Sequence, residues 1–234
     1  LPPSIMRWVI LARKVCGYFR SENYGDNRVE IDKELRGHVR LNIKGHNILF
    51  IYLILHATLI HIYIQVEGNH NRIFLDQVYI GQELRVIQGQ NHPYFGQVEN
   101  TVFEVGKGSS IEGMTCISFN SFAACRIGEN CMFSSNITLF NTDAHPILDL
   151  QTQKVKNWVH GISIGNHCWL GEKSSVLKNS VIPDDCIIGY NAVVAGKLPK
   201  SHSIYAGNPV RLIKSGVTWD ANGANHGYIE NFGR

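Results

Sequence analysis

Ile164 to Val194 reads IGNHCWLGEKSSVLKNSVIPDDCIIGYNAVV, and its period decides the fold. Ile164, Leu170, Val176, Ile182, Ile188 and Val194 stand six residues apart without a break. Small residues recur four places after them, at Cys168, Ser174, Ser180, Cys186 and Ala192. Gly165, Gly171 and Gly189 follow three of the aliphatic residues, where a sharply bending backbone favours glycine. A period of six matches neither a helix face nor a simple alternating strand. It fits a solenoid whose short strands each end in a turn, so that the aliphatic residues stack inward coil upon coil.

The same beat continues upstream with interruptions. Val105, Ile111 and Ile117 form one run, and Ile127, Phe133 and Leu139 form another. Breaks between runs are where a solenoid extrudes loops, and one such break runs from His145 to about Val159. Further upstream, Gly45-His46-Asn47, Gly68-Asn69-His70-Asn71 and Gly89-Gln90-Asn91-His92 follow aliphatic alternations such as Ile62, Ile64 and Val66. Gly and Asn tolerate positive φ, so these are expected to be corners of degenerate coils, and their histidines turn residues rather than metal ligands. The apolar run Ile48 to Ile64 contains His56 and His61, is rich in β-branched residues and falls short of a spanning helix, so buried strands are expected there. The stretch through Arg20, with Trp8 to Ala12 flanked by Arg7, Arg13 and Lys14, reads as a helix. The expected organisation is a mainly β chain: an N-terminal helical or irregular segment over 1–40, one long β-solenoid over 41–214, and a C-terminal tail over 215–234.

Composition agrees with one ordered domain. The 234 residues are 44% hydrophobic and 18% charged, enough to build a sizeable core. The formal net charge of +3, with no dense Lys/Arg run, points away from nucleic acid. Charge is nonetheless segregated. Between Lys154 and Lys214, eight basic residues face only Glu172, Asp184 and Asp185, a bias suited to a phosphorylated small ligand. The six cysteines show no metal spacing, and Cys131, Cys168 and Cys186 share one place in the repeat, where a small buried thiol packs. Free buried thiols point to a reducing compartment, so a cytoplasmic location is expected. The chain begins at Leu1 rather than Met, so a few native residues are expected to precede it.

Three elements in order carry a family resemblance: Asp143-Ala144-His145-Pro146, the coil Cys168-Trp169-Leu170-Gly171, and the closing Ala206-Gly207-Asn208-Pro209. From about Ile127 to Lys214 the sequence resembles the hexapeptide-repeat acyltransferases. Within that family it is similar to bacterial capsule and exopolysaccharide O-acetyltransferases, including the polysialic acid type. The resemblance implies a left-handed parallel β-helix, assembly as a homotrimer with active sites between protomers, and acyl transfer from acetyl-CoA to a carbohydrate hydroxyl. It assigns His145 as general base and pairs it with Trp169, which positions the acceptor or supports the oxyanion. Gly171, Lys173, Tyr190, Ala195, Lys197, Arg211 and Lys214 are implied along the cofactor groove. Glu172 and Tyr190 depart from the small residues common there, which bears on the contacts to acyl-CoA.

The chemistry fits those residue types. A histidine with an ordinary pKa near ~6.5 suits a base at neutral pH. Asp143 either orients that imidazole or binds a backbone amide of the turn. Backbone N–H groups near Trp169 to Gly171 are candidates for stabilising an oxyanion. No activated Ser or Cys nucleophile is evident, so direct attack in a ternary complex is simpler than an acyl-enzyme, and no metal is expected. Two other classes compete. A zinc enzyme like the γ-type carbonic anhydrases needs three converging histidines, and His160 and His167 are seven apart, out of step with the repeat. A non-catalytic carbohydrate-binding solenoid leaves the Asp143 to Pro146 motif unexplained.

Overall fold

A computed structural model describes residues 15–16, 19–24, 28–32, 35–54, 60–89 and 98–221, with side chains placed over 40–47, 61–89 and 98–221. The described residues contain strands and turns and no helix. The upper coils comprise β1 (Val15–Cys16), β2 (Phe19–Tyr24), β3 (Arg28–Asp32), β4 (Leu35–Lys44), β5 (Ile48–Ile54), β6 (Ile60–Glu67) and β7 (Arg72–Gln88). The middle is β8 (Val102–Val105), β9 (Ser110–Ser118), β10 (Ala124–Ile127), β11 (Met132–Phe133) and β12 (Ile137–Phe140). The lower coils are β13 (Gly161–Ile164), β14 (Trp169–Leu170), β15 (Ser175–Leu177), β16 (Val181–Ile182), β17 (Cys186–Ile188), β18 (Val193–Val194), β19 (Ser203–Ala206) and β20 (Arg211–Ser215).

All the strands but the last pair in parallel, each with the strand one coil away. Ile164 pairs with Ile182, Trp169 with Ile187 and Val176 with Val194, each offset by eighteen residues, which is three hexapeptides. The lower solenoid is therefore a three-faced prism. Face A stacks β8, β10, β13 and β16; face B stacks the start of β9 with β11, β14, β17 and β19; face C stacks the end of β9 with β12, β15 and β18. Both ladders expected from the repeat point inward: Ile164, Leu170, Val176, Ile182, Ile188 and Val194 are buried, as are Cys168, Ser174, Ser180, Cys186 and Ala192.

Corners are built in two ways. His167, Lys173, Asn179, Asp185 and Asn191 all have positive φ, at the same six-residue interval, just before each small inward residue. Asn and Asp adopt this conformation more readily than most residues. Gly165, by contrast, is needed for closeness: a Cβ there would sit 2.6 Å from the Asp184 amide N and overlap the Asp184 carboxylate. The stacking of the next coil, more than a bend of its own backbone, demands that glycine.

Two expectations shift. Ile117 is only half-buried; Cys116 takes the inward place, because Gly113 and Met114 are both buried where β9 turns from face B to face C, and alternation slips by one residue. Strands β1 (Val15–Cys16) and β2 (Phe19–Tyr24) begin where the helix was expected to end, and β2 pairs in parallel with β4 from Phe19↔Val39 onward. The rest of the expected helix, His56 and the end of the third Gly-Asn corner lie outside the described residues. Within the apolar run, Ile48–Ile54 form β5 and β6 begins at Ile60, with Ile62 and Ile64 buried; 55–59 lie outside the described residues. Among the described residues no helix is long and apolar enough to cross a membrane.

Candidate active site

Between Phe140 and Gly161 the chain leaves the prism, so the offset across it grows from eighteen to the 37 residues separating Ile127 and Ile164. The excursion folds back on itself through an antiparallel bridge, Leu148↔Val155. One side chain pins it. Asn157 donates from Nδ2 to Asp143 Oδ2 at 2.7 Å and to the His145 carbonyl at 2.9 Å, while its Oδ1 accepts from the Ile147 amide at 2.8 Å. Lys178, from the next coil, lies 3.2 Å from Asp143 Oδ2 and reaches the Asn157 carbonyl at 3.4 Å. The Asp143 carboxylate is thus engaged by the Asn157 amide and the Lys178 ammonium, and acts on the loop backbone through Asn157. His145 is exposed at the rim of a cavity of about 280 Å³, lined also by Asn120, Asp143, Pro146, Asn157 and Trp158. Asn157 went unread in the sequence; no spacing rule ties it to Asp143, and only the fold-back brings the two together.

Trp169 stands elsewhere. It lies on β14 of face B, between Met132 and Ile187, whereas the His145 loop leaves from the end of face C. Trp169 Nε1 approaches Ser134 Oγ at 3.5 Å, and its ring meets Trp219 with centroids 6.1 Å apart at 49°. One chain therefore places the two paired residues on different faces.

The implied cofactor residues divide similarly. Gly171, Lys173 and Tyr190 share the corner between faces B and C. Lys173 Nζ donates to Tyr190 Oη at 3.0 Å and sits over its ring, and the hydroxyl raises the lysine's pKa above its ordinary value. A Cβ on Gly171 would crowd the Ile188 carbonyl at 2.8 Å and the Tyr190 amide at 2.9 Å. Ala195 and Lys197 stand past β18, beyond face C. Lys197 lines an open groove on face A with Arg126, His160 and Asn179. Arg211 and Lys214 are exposed on β20, which runs antiparallel to β19.

The remaining histidines and thiols take structural places. His167 Nδ1 donates to Asp185 Oδ1 at 2.7 Å from the corner between faces A and B, away from His160. Among the described residues no group of His, Cys, Asp and Glu is arranged to hold a metal ion. Cys131, Cys168 and Cys186 form a vertical ladder, each Sγ directed at a carbonyl of the following coil: Gly165 at 3.1 Å, Pro183 at 3.2 Å and Lys200 at 3.4 Å. Burial pushes the Cys186 thiol up to about 11, so it stays protonated and unreactive near neutral pH.

The comparisons with known proteins converge on this architecture. No family model matches the chain. Over 93 residues it is 34% identical to the polysialic acid O-acetyltransferase of Escherichia coli O1:K1 / APEC, a match covering 40% of this chain and 30% of that protein. The polysialic acid O-acetyltransferase of Neisseria meningitidis is 26% identical over 93 residues, again 40% of this chain and 43% of the relative. The chain resembles the hexapeptide-repeat acyltransferases. Galactoside O-acetyltransferase of Escherichia coli K12 extends the resemblance at 30% identity over 88 residues, 38% of this chain and 42% of that protein. Each match thus spans less than half of the curated relative. Among solved structures, the polySia-specific acetyltransferase NeuO aligns over 91% of this chain and 88% of its own, with a TM-score of 0.60 and 19% identity, which shows the shared fold.

Proposed function

We propose that the chain is an acetyl-CoA-dependent O-acetyltransferase acting on a hydroxyl of a bacterial surface polysaccharide, with sialic-acid-containing capsule as the favoured acceptor. The observation that carries this reading is the pinned loop: at the one long break in the lower repeat, a single asparagine fixes both the Asp143 carboxylate and the His145 backbone. A general base works only when its position is held by its surroundings. Neutral His145 removes the acceptor proton as the hydroxyl oxygen attacks the thioester carbonyl. The tetrahedral oxyanion is stabilised by N–H donors, for which Trp169 Nε1 and the amides toward Gly171 are the candidates. Collapse expels the CoA thiolate, which takes the proton back from the imidazolium, so the histidine returns to its starting state without an acyl-enzyme.

Separation of His145 and Trp169 onto different faces supports assembly as a homotrimer, in which the loop of one protomer meets face B of its neighbour. The same packing gives acetyl-CoA two walls: Gly171, Lys173 and Tyr190 from one copy, with Ala195, Lys197, Arg211 and Lys214 drawn from the other surfaces. A cytoplasmic location is part of this reading, and the buried free cysteines Cys131, Cys168 and Cys186 support it.

The test is CoA release from acetyl-CoA with a panel of bacterial polysaccharides and simple sugars, comparing the wild type with His145→Ala. Acceptor-dependent release that falls about 10²–10⁴-fold in the variant is the expected result. If no acceptor elicits release from the wild type, the transferase reading fails and a carbohydrate-binding solenoid takes its place.

A further inference from the structure

The segment after β20 does not simply trail away. Val217 donates its amide to the His202 carbonyl at 3.0 Å, Thr218 Oγ1 donates to Asp185 Oδ1 at 3.0 Å, and Trp219 Nε1 donates to the His167 carbonyl at 2.8 Å. His202, Asp185 and His167 belong to three successive coils along one corner. The strap therefore climbs the corner between faces A and B, fastened once per coil, and delivers an indole to the coil that carries Trp169. That indole lies flat on the His167 imidazole, with centroids 4.4 Å apart and planes 7° apart, and is tilted against the Trp169 ring.

The arrangement exceeds what anchoring needs. A tail that only seeks burial seats its largest apolar side chain among aliphatic residues. Here the indole is laid on a polar ring, its N–H is fixed by a backbone carbonyl, and both tryptophans stay half-exposed. Tilted aromatic pairs present electron-rich faces to whatever enters beside them, and such faces attract the polarised C–H groups of a sugar ring or an N-acetyl methyl.

We propose that Trp169 and Trp219 form a two-ring wall that binds a pyranose unit of the acceptor glycan, with the strap from Val217 to Trp219 holding it in place. This rests on the proposed transferase reading and takes the first of the two roles that the resemblance implies for Trp169, positioning of the acceptor. Trp219 is then a specificity-determining residue supplied from a part of the chain well beyond the repeat.

The experiment titrates sialic acid oligomers into the wild type, Trp219→Ala, Trp219→Phe and Thr218→Val, first without acetyl-CoA by calorimetry and then during turnover. Trp219→Ala is expected to raise both the oligomer Kd and the acceptor KM about tenfold, with the acetyl-CoA KM within about twofold of wild type and most of the loss recovered by Trp219→Phe. Thr218→Val keeps the indole and loses one fastening, so it separates strap stability from sugar contact. A lowered Tm in both strap variants with unchanged acceptor Kd and KM overturns the wall and leaves the transferase reading intact. Oligomer binding by the wild type that weakens in Trp219→Ala sustains the wall even where no turnover is found. A wild type that binds no oligomer removes it.

Discussion

The upper and lower coils solve one packing problem with different sequence patterns. From Ala124 to Ala206 each rung is two to four residues long, corners outside the His145 loop fall every six residues, and each rung points an aliphatic or aromatic residue inward. Above Gln88 the rungs run longer; β7 alone spans Arg72–Gln88, crossing two register shifts, and its burial follows strand alternation between them. The stitching differs too. In the lower coils buried thiols reach carbonyls of the next coil. In the upper coils the buried Asn71 side chain accepts at Oδ1 from the Thr101 backbone amide and hydroxyl at 2.9 and 2.8 Å, and the Asn71 backbone N–H donates to Asn47 Oδ1 at 3.1 Å. The outer surfaces diverge in step: Arg40 and Arg85 both lie over the Tyr63 ring, on adjacent rungs of one column. A regular hexapeptide is thus one way to fill a coil, and long alternating rungs tied by inward asparagines are another.

The sharpest way to break this comparison is to open the core in each half. Leu84 and Leu170 are both fully buried, and truncation of either to alanine is expected to cost about 2–5 kcal/mol in urea unfolding. Equal losses show that one cooperative core serves both patterns. A small loss at Leu84 beside a large one at Leu170 shows that the upper coils open separately, as solenoids permit. A lesser effect separates the two kinds of stitch. Asn71→Ala strands the buried Thr101 donors and is expected to cost about 1–3 kcal/mol, whereas Cys168→Ala removes only a weak S–H donor and a small volume, about 1 kcal/mol or less. If the two losses match, the asparagine ladder is no more than the thiol ladder, and the distinction between the coils lies in rung length alone.

The same contrast explains what could be read beforehand. Six-residue spacing marks both the inward aliphatic ladder and the small residue beside it, because each hexapeptide carries one rung and one corner. The corners at Asn179, Asp185 and Asn191 were legible in principle, since Asn and Asp favour positive φ, and they repeat with the same period. Ile117 was misplaced because a period cannot register the slip at Gly113-Met114, which depends on where β9 turns the prism edge. The loop at His145 announced itself as a break. Its pin did not, because Asn157 meets Asp143 only after the excursion folds back. That Trp169 and His145 lie on separate faces follows from counting rungs through the prism, and motif order along the chain does not contain it. Trp219 was the least legible of all. It reaches His167 across a separation of 52 residues, after a β-strand that reverses direction, and no local pattern encodes that route.

The smallest expected effect tests how the strap is fastened to the lower coils. Asp185 receives the Thr218 hydroxyl and pairs with His167 Nδ1 at 2.7 Å, with His202 Nδ1 at 3.7 Å. Partial burial pushes its carboxyl up, but the hydrogen bonds from His167 and Thr218, aided by the charges of His167 and His202, outweigh that and hold it below the usual carboxylate value. A carboxyl depressed in the folded state stabilises at pH above its unfolded value, near ~3.9, and that contribution disappears as pH falls through the lower folded value. The strap should therefore loosen only below about pH 4, with tryptophan emission shifting to the red as Trp219 leaves His167. Asp185→Asn is expected to flatten this acid limb and to lower Tm slightly at neutral pH, since the amide oxygen still accepts from Thr218 but carries no charge. Identical acid profiles for the two proteins would show that ring stacking on His167 holds the strap without help from the carboxylate. The corner would then be a mechanical fastening, as indifferent to pH as the aliphatic ladder behind it.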